Sequence, residues 1–179
     1  MTLEELNSTK KLIDDGNLKA DQQLLEKFLK RSIELRNQDF IEYFINKGAN
    51  PDNITINKMP VLKALLTEME ESSIFSSEEK KERSTDVFVS LVESGANPNY
   101  GSPLKHMFNL DLYNKNISVC EATDALLKFG AEKKDIVLQE IASKSNYCVG
   151  EERFNKDVFL KLLEVLRQHK VDVSNLPQY

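Results

Sequence analysis

The chain has 179 residues, with 24 Lys and Arg against 29 Asp and Glu, a formal net charge of −5, and no Trp. The length suits one domain or a short repeat array with a real core, and the acidic balance argues against non-specific nucleic-acid binding. Two cysteines, Cys120 and Cys148, form neither a disulfide framework nor a C-x-x-C metal knuckle, and six glycines leave little for phosphate-cradling loops.

The N-terminus, Met1-Thr2-Leu3-Glu4-Glu5, is acidic and lacks the basic region and apolar run of a secretory signal. No apolar stretch approaches the roughly 18 residues a membrane span needs. Free thiols fit a reducing compartment, so the expected location is cytoplasmic, in the producing cell or in a host cell that receives the protein.

Apolar pairs at helical spacing then recur along the chain. Leu12 and Ile13 precede Gly16, and Leu24, Leu25, Phe28, Leu29 and Ile33 make a second stripe. Phe40, Ile41, Phe44 and Ile45 lead to Gly48; Val87, Phe88, Leu91 and Val92 lead to Gly95. Ala122, Thr123, Leu126 and Leu127 lead to Gly130, and Val158, Phe159, Leu162, Leu163 and Leu166 form the last stripe. Glycine after a helix supplies the left-handed residue that commonly ends one. The sequence after it repeats too: Gly48-Ala49-Asn50-Pro51-Asp52, Gly95-Ala96-Asn97-Pro98-Asn99 and the partial Gly130-Ala131-Glu132, with Lys170 to Asn175 as a worn last copy. Met59-Pro60-Val61-Leu62-Lys63-Ala64 and Ser102-Pro103-Leu104-Lys105-His106-Met107 put Pro in the first turn of a following helix. Capping boxes at Ser76 to Glu79 and Ser118 to Glu121 predict helix starts, the first running from Glu78 to about Glu93 after a loop at Ser72 to Ser77, with Glu79 and Arg83 paired one turn apart. No alternating apolar and polar run predicts a sheet. The fold class is therefore all-α, a series of helix pairs each followed by a turn.

The Gly-Ala-Asn-Pro-Asx turns and the Ser-Pro-Leu-Lys helix start resemble the ankyrin repeat, a unit of about 33 residues whose first helix opens on T-P-L-H-x-A. No copy here has the full motif, the first pair lacks its proline, and Met107 stands where the family has Ala. The resemblance implies an irregular ankyrin-like solenoid of helix-turn-helix repeats in one domain over 1–179. Its units are an N-terminal cap at 1–19, then 20–52, 53–99, 100–134 and 135–179, with long inter-helix insertions around Glu70 to Asp86 and Leu110 to Asn116.

Catalysis is not expected. Cys120 falls in the first turn of a predicted helix, where the dipole could lower its pKa, but no motif surrounds it, and a buried structural thiol is the commoner fate. His106 reads as a packing or surface residue and His169 as a favourable helix C-terminal charge. The histidines and cysteines have no metal-ligand spacing, and the Glu-rich run from Glu68 to Glu82 reads as a solvated helix face. No cofactor is expected.

What a solenoid implies is binding through a concave face of turns and inner helices. Transferring the family's exposed positions gives Asp52, Asn53, Thr55 and Lys58 in one turn, Asn99 and Tyr100 in the next, Lys133 and Lys134 in the third, and Thr67 and Asn109 on inner helices. Tyr100 is the strongest single candidate, because aromatic residues dominate interface energetics. The expected function is a monomeric protein-protein interaction module, an adaptor or an effector of an intracellular bacterium. The alternative is an immunity or inhibitor protein whose acidity blocks a basic active site. No nucleic acid or membrane partner is expected.

Overall fold

The computed structural model describes residues 1–75, 78–110, 118–136, 141 and 156–176, with the backbone alone for 71–75, 78–83 and 135. Eight α-helices lie among the described residues: α1 (Leu3–Asp14), α2 (Gln22–Glu34), α3 (Gln38–Asn46), α4 (Val61–Phe75), α5 (Glu78–Glu93), α6 (Pro103–Asn109), α7 (Ser118–Lys128) and α8 (Lys156–Gln168). The first three begin where a side chain satisfies orphan amides, whereas Ser102 before α6 makes no side-chain cap bond. Thr2 and Glu5 form a capping box, of which Thr-x-x-Glu is the signature. Asp21 accepts from the Leu24 amide at 2.8 Å and Asn37 from the Phe40 amide at 3.0 Å.

The helix ends repeat one device. In the turns after α3, α5 and α7, the glycine amide donates three residues back and the following alanine amide donates five residues back. This is the Schellman pair of bonds, and Gly48, Gly95 and Gly130 take the positive φ it needs, at 111°, 116° and 99°. After α8 the Lys170 and Val171 amides make the same two bonds, with Lys170 at φ 58°, so the last turn keeps the geometry without its glycine. Ala49, Ala96 and Ala131 are buried beneath these turns.

The apolar stripes turn to the interior except at the end of α1, where Leu12 is 46% exposed. Phe28, Phe44, Phe88, Phe108 and Phe159 are buried within one continuous cluster running from Leu6 to Leu176. The helices pack as consecutive pairs, α2 on α3, α4 on α5 and α6 on α7. The second members form a row in which α3 packs on α5, α5 on α7 and α7 on α8; beside it α4 packs on α6. We call these the outer and inner rows.

Three details depart from the sequence reading. A two-stranded antiparallel hairpin, β1 (Thr55–Ile56) with β2 (Met59–Pro60), follows the first Gly-Ala-Asn-Pro turn. Its turn residues Asn57 and Lys58 both have positive φ, as a two-residue primed hairpin requires; strands this short have no alternation to read. Pro60 consequently ends a strand instead of occupying the first helical turn. The loop expected at Ser72 to Ser77 is also wrong over its first four residues, because α4 continues to Phe75. Its run of Glu, Met and Ser has no residue that stops a helix. The start of α5 at Glu78 and its end at Glu93 match expectation. The caps at Ser76, the Glu79 and Arg83 pair, and the insertion at 111–116 lie outside the residues whose side chains are described.

α1 is held to α3 by polar groups. Asp14 accepts from Lys10 at 2.7 Å, the Tyr43 hydroxyl at 2.8 Å and Lys47 at 3.2 Å. Its bond to Lys10, then that to Tyr43, holds the Asp14 carboxyl far below the usual range, while burial and then Asp14 push Tyr43 up to about 12. A depressed carboxyl stabilises above its unfolded pKa and loses that contribution as pH falls, whereas the raised phenol stabilises below its ordinary value and loses it as pH climbs through about 12. The docking of α1 should therefore loosen from about pH 4 downward. NMR of the buried Leu6 methyls checks this: the acid step should be present in the native chain and absent in Asp14→Asn.

Candidate functional site

The turns after α3, α5 and α7, called fingers here, are stitched to one another. Asn50 and Asn97 sit two residues after their glycines, and each accepts from the amide two residues on, Asp52 and Asn99, at 3.0 Å. Asp172 repeats this after α8, accepting from the Ser174 amide at 3.0 Å. Such Asx turns fix the finger backbone locally. The residue four beyond each glycine then reaches the next finger. Asp52 accepts from the Asn97 amide at 3.0 Å, and Asn99 accepts from the Glu132 amide at 2.8 Å while donating to the Gly130 carbonyl at 3.1 Å.

This ladder divides the ten sequence-derived candidates. Asp52 and Asn99 are inter-finger stitches. Asn53 donates to Glu26 of α2 at 2.7 Å. The Thr67 hydroxyl donates to the Lys63 carbonyl at 3.1 Å and lies 3.0 Å from His106 Nε2. Because its single proton is used on Lys63, the His106 Nε2–H must be the donor. Burial, then the positive charge of Lys63, lowers the His106 pKa, consistent with a neutral ring. Thr55 and Lys58 are exposed on the hairpin, Tyr100 is 46% exposed, Asn109 is exposed at the end of α6, and Lys133 and Lys134 are exposed in the third finger. Lys134 pairs with Glu132. Asn99→Ala, which removes both reciprocal bonds, should cost about 1–3 kcal/mol, whereas Lys58→Ala and Lys133→Ala should stay within about 0.5 kcal/mol. Urea denaturation of the three variants checks the division.

The structure adds Lys63, which the sequence did not single out. It lies one turn from Thr67 on α4, beside His106 of α6, and its stem runs against Gly101. The 63, 67 and 105, 106, 109 spacings signal the exposed stripe of each helix, but which stripe faces the fingers requires the packing of α4 on α6.

A second feature lies on the outer row. A groove of about 750 Å³ between α3, α5 and α7 is lined by Asp39, Glu42, Asp86, Glu93, Glu121 and Asp124, opposed by Lys128. Six carboxylates against one lysine make this groove strongly acidic. Asp124 meets His169 at 2.7 Å, tying α8 to α7.

Cys120 is 1% exposed, and its thiol points to the Val158 carbonyl at 3.6 Å. Burial pushes it up to about 11, overriding any lowering by the helix start and opposing a thiolate at neutral pH. Cys148 lies outside the described residues. Among the described residues no three His, Cys, Asp or Glu side chains come together as metal ligands, and no helix is long and apolar enough to cross a membrane.

No family model matches the chain, and no curated protein or solved structure matches it.

Proposed function

We propose that the chain is a non-enzymatic protein-protein interaction module, a divergent ankyrin-like stack whose fingers and inner helices form the docking face. The observation carrying this reading is the division within the fingers. Asp52 and Asn99 are spent on holding one finger to the next, and the framework they stiffen presents an exposed aromatic, Tyr100, next to Gly101, against which the Lys63 stem runs. Binding faces combine rigid support with exposed anchors of this kind. The helix pairs in chain order, the repeated Schellman ends and the Asx ladder support the stacked reading. On this reading the protein acts as a cytoplasmic monomeric adaptor, or as an effector inside a host cell.

The second reading, an immunity or inhibitor protein covering a basic active site, is favoured by one observation, the acidic groove on the outer row. The two use opposite sides of the helix pairs. Affinity capture from the producing cell and from a candidate host, with Tyr100→Ala and Glu121→Lys compared against the native chain, tests them. Loss of the captured protein in Tyr100→Ala alone supports the finger face. Loss in Glu121→Lys alone supports the inhibitor, and a partner indifferent to both variants removes both readings.

A further inference from the structure

α1 is joined to the rest of the protein by polar groups at its two ends and one buried side chain between them. At the N-terminal end the Arg31 Nε of α2 donates to the Met1 carbonyl at 2.6 Å, just ahead of the Thr2 and Glu5 capping box. At the C-terminal end Asp14 takes the Tyr43 hydroxyl at 2.8 Å and Lys47 at 3.2 Å, both from α3, while Lys10 stands 4.5 Å over the Tyr43 ring. Between these clasps only Leu6 is buried, whereas α2 buries five residues and α8 six. Lifting α1 therefore takes one leucine out of the core and withdraws the partly buried Ile13. The C-terminal clasp is open to water, since the side chains of Lys10, Asp14 and Lys47 are 43%, 38% and 41% exposed. Ion pairs at that exposure are individually weak, and hydration replaces them when they part. The connector Asp15 to Asn17 is exposed, with Gly16 in the left-handed region at φ 73°, and one backbone bond, from the Leu18 amide to the Leu12 carbonyl at 2.9 Å, crosses it. Asp21 caps α2 without help from α1.

We propose that α1 is a detachable strap lying across α2 and α3, which opens and closes as one unit while α2 to α8 remain folded. Elements that move are drawn from the least stable parts of a structure, and α1 combines a single buried anchor with two clasps on one continuous helix. Loss of either clasp is felt at the other because the helix joins them. Once lifted, a helix of 12 residues is too short to persist alone, so release and melting coincide. Opening uncovers the part of the core that Leu6 closes. This motion does not depend on which face of the protein docks a partner.

Native-state hydrogen exchange of the isotope-labelled full chain, in water and in low urea, tests this. The amides of Leu6 to Ile13 should share one protection factor, about tenfold or more below that of Leu91 on α5, with a weaker urea dependence because less surface is exposed. Asp14→Asn weakens the C-terminal clasp and Arg31→Gln removes the N-terminal one. Each should lower the protection of the whole set about tenfold, as expected for a hydrogen bond to a charged group, and leave Leu29 and Leu91 unchanged. Protection equal to that of Leu91 would mean that α1 parts only when the whole protein unfolds, and no protection would mean that it never closes. Protection that rises residue by residue from the N-terminal side, with each variant felt only near its own clasp, is fraying. A loss at Leu91 in either variant would make α1 part of the common core. Each of these results overturns the proposal.

Discussion

Phe88→Ala should destabilise the protein by about 3–5 kcal/mol. Phe88 is fully buried on α5, the helix that pairs with α4 and also packs on α3 and α7. The residual cavity would open where three helices meet, and little can collapse to fill it, because Val87, Leu91 and Val92 are already buried on the same face. The loss is a large share of the roughly 5–15 kcal/mol that holds an ordinary domain. A stack held by nearest-neighbour interfaces should also lose coupling between its ends when the central helix is weakened. Urea denaturation followed by circular dichroism should show an early midpoint and a broadened or two-step transition. Val89→Ala, on the half-buried face lining the outer groove, should cost less than about 1 kcal/mol. Equal effects from both would mean that α5 is not the centre of the packing.

Gly101→Ala should cost about 2–4 kcal/mol, combining the strain of a Cβ in the left-handed region with overpacking. Gly101 has φ 74°, and the added methyl would stand 2.9 Å from Pro60 Cγ. Gly16 supplies the control, since its φ of 73° is nearly the same and nothing lies within 4 Å of the methyl it would gain. Gly16→Ala should therefore show the conformational part alone, about 1–2 kcal/mol. The difference between the two variants isolates the contact between the second finger and β2. Pro60→Ala in the Gly101→Ala background should recover part of the loss, because it removes the colliding ring. Additive losses would place the strain elsewhere.

The helices were legible in the sequence because their signals are local. An apolar pair, two residues and a glycine describe both a buried stripe and the residue that ends it, and α3, α5 and α7 all follow that form. The hairpin was not legible, since two-residue strands carry no alternation and only Asn57 hints at the turn. The candidate site was half legible. Family positions identified finger residues, but whether Asn99 binds a partner or the next finger depends on Glu132, 33 residues away. Likewise the net charge was plain from composition, while the gathering of six carboxylates between α3, α5 and α7 depends on which helix faces adjoin.

Hydrogen exchange at two amides, Asn97 and Glu132, tests the stitched stack most directly. If Asp52 and Asn99 join successive fingers, Asp52→Ala should speed exchange several-fold at Asn97 and leave Glu132 unchanged, as expected when one net hydrogen bond is lost. Asn99→Ala should do the reverse. Exchange at both amides that ignores both substitutions would contradict the ladder, and with it the rigid finger face on which the proposed docking rests.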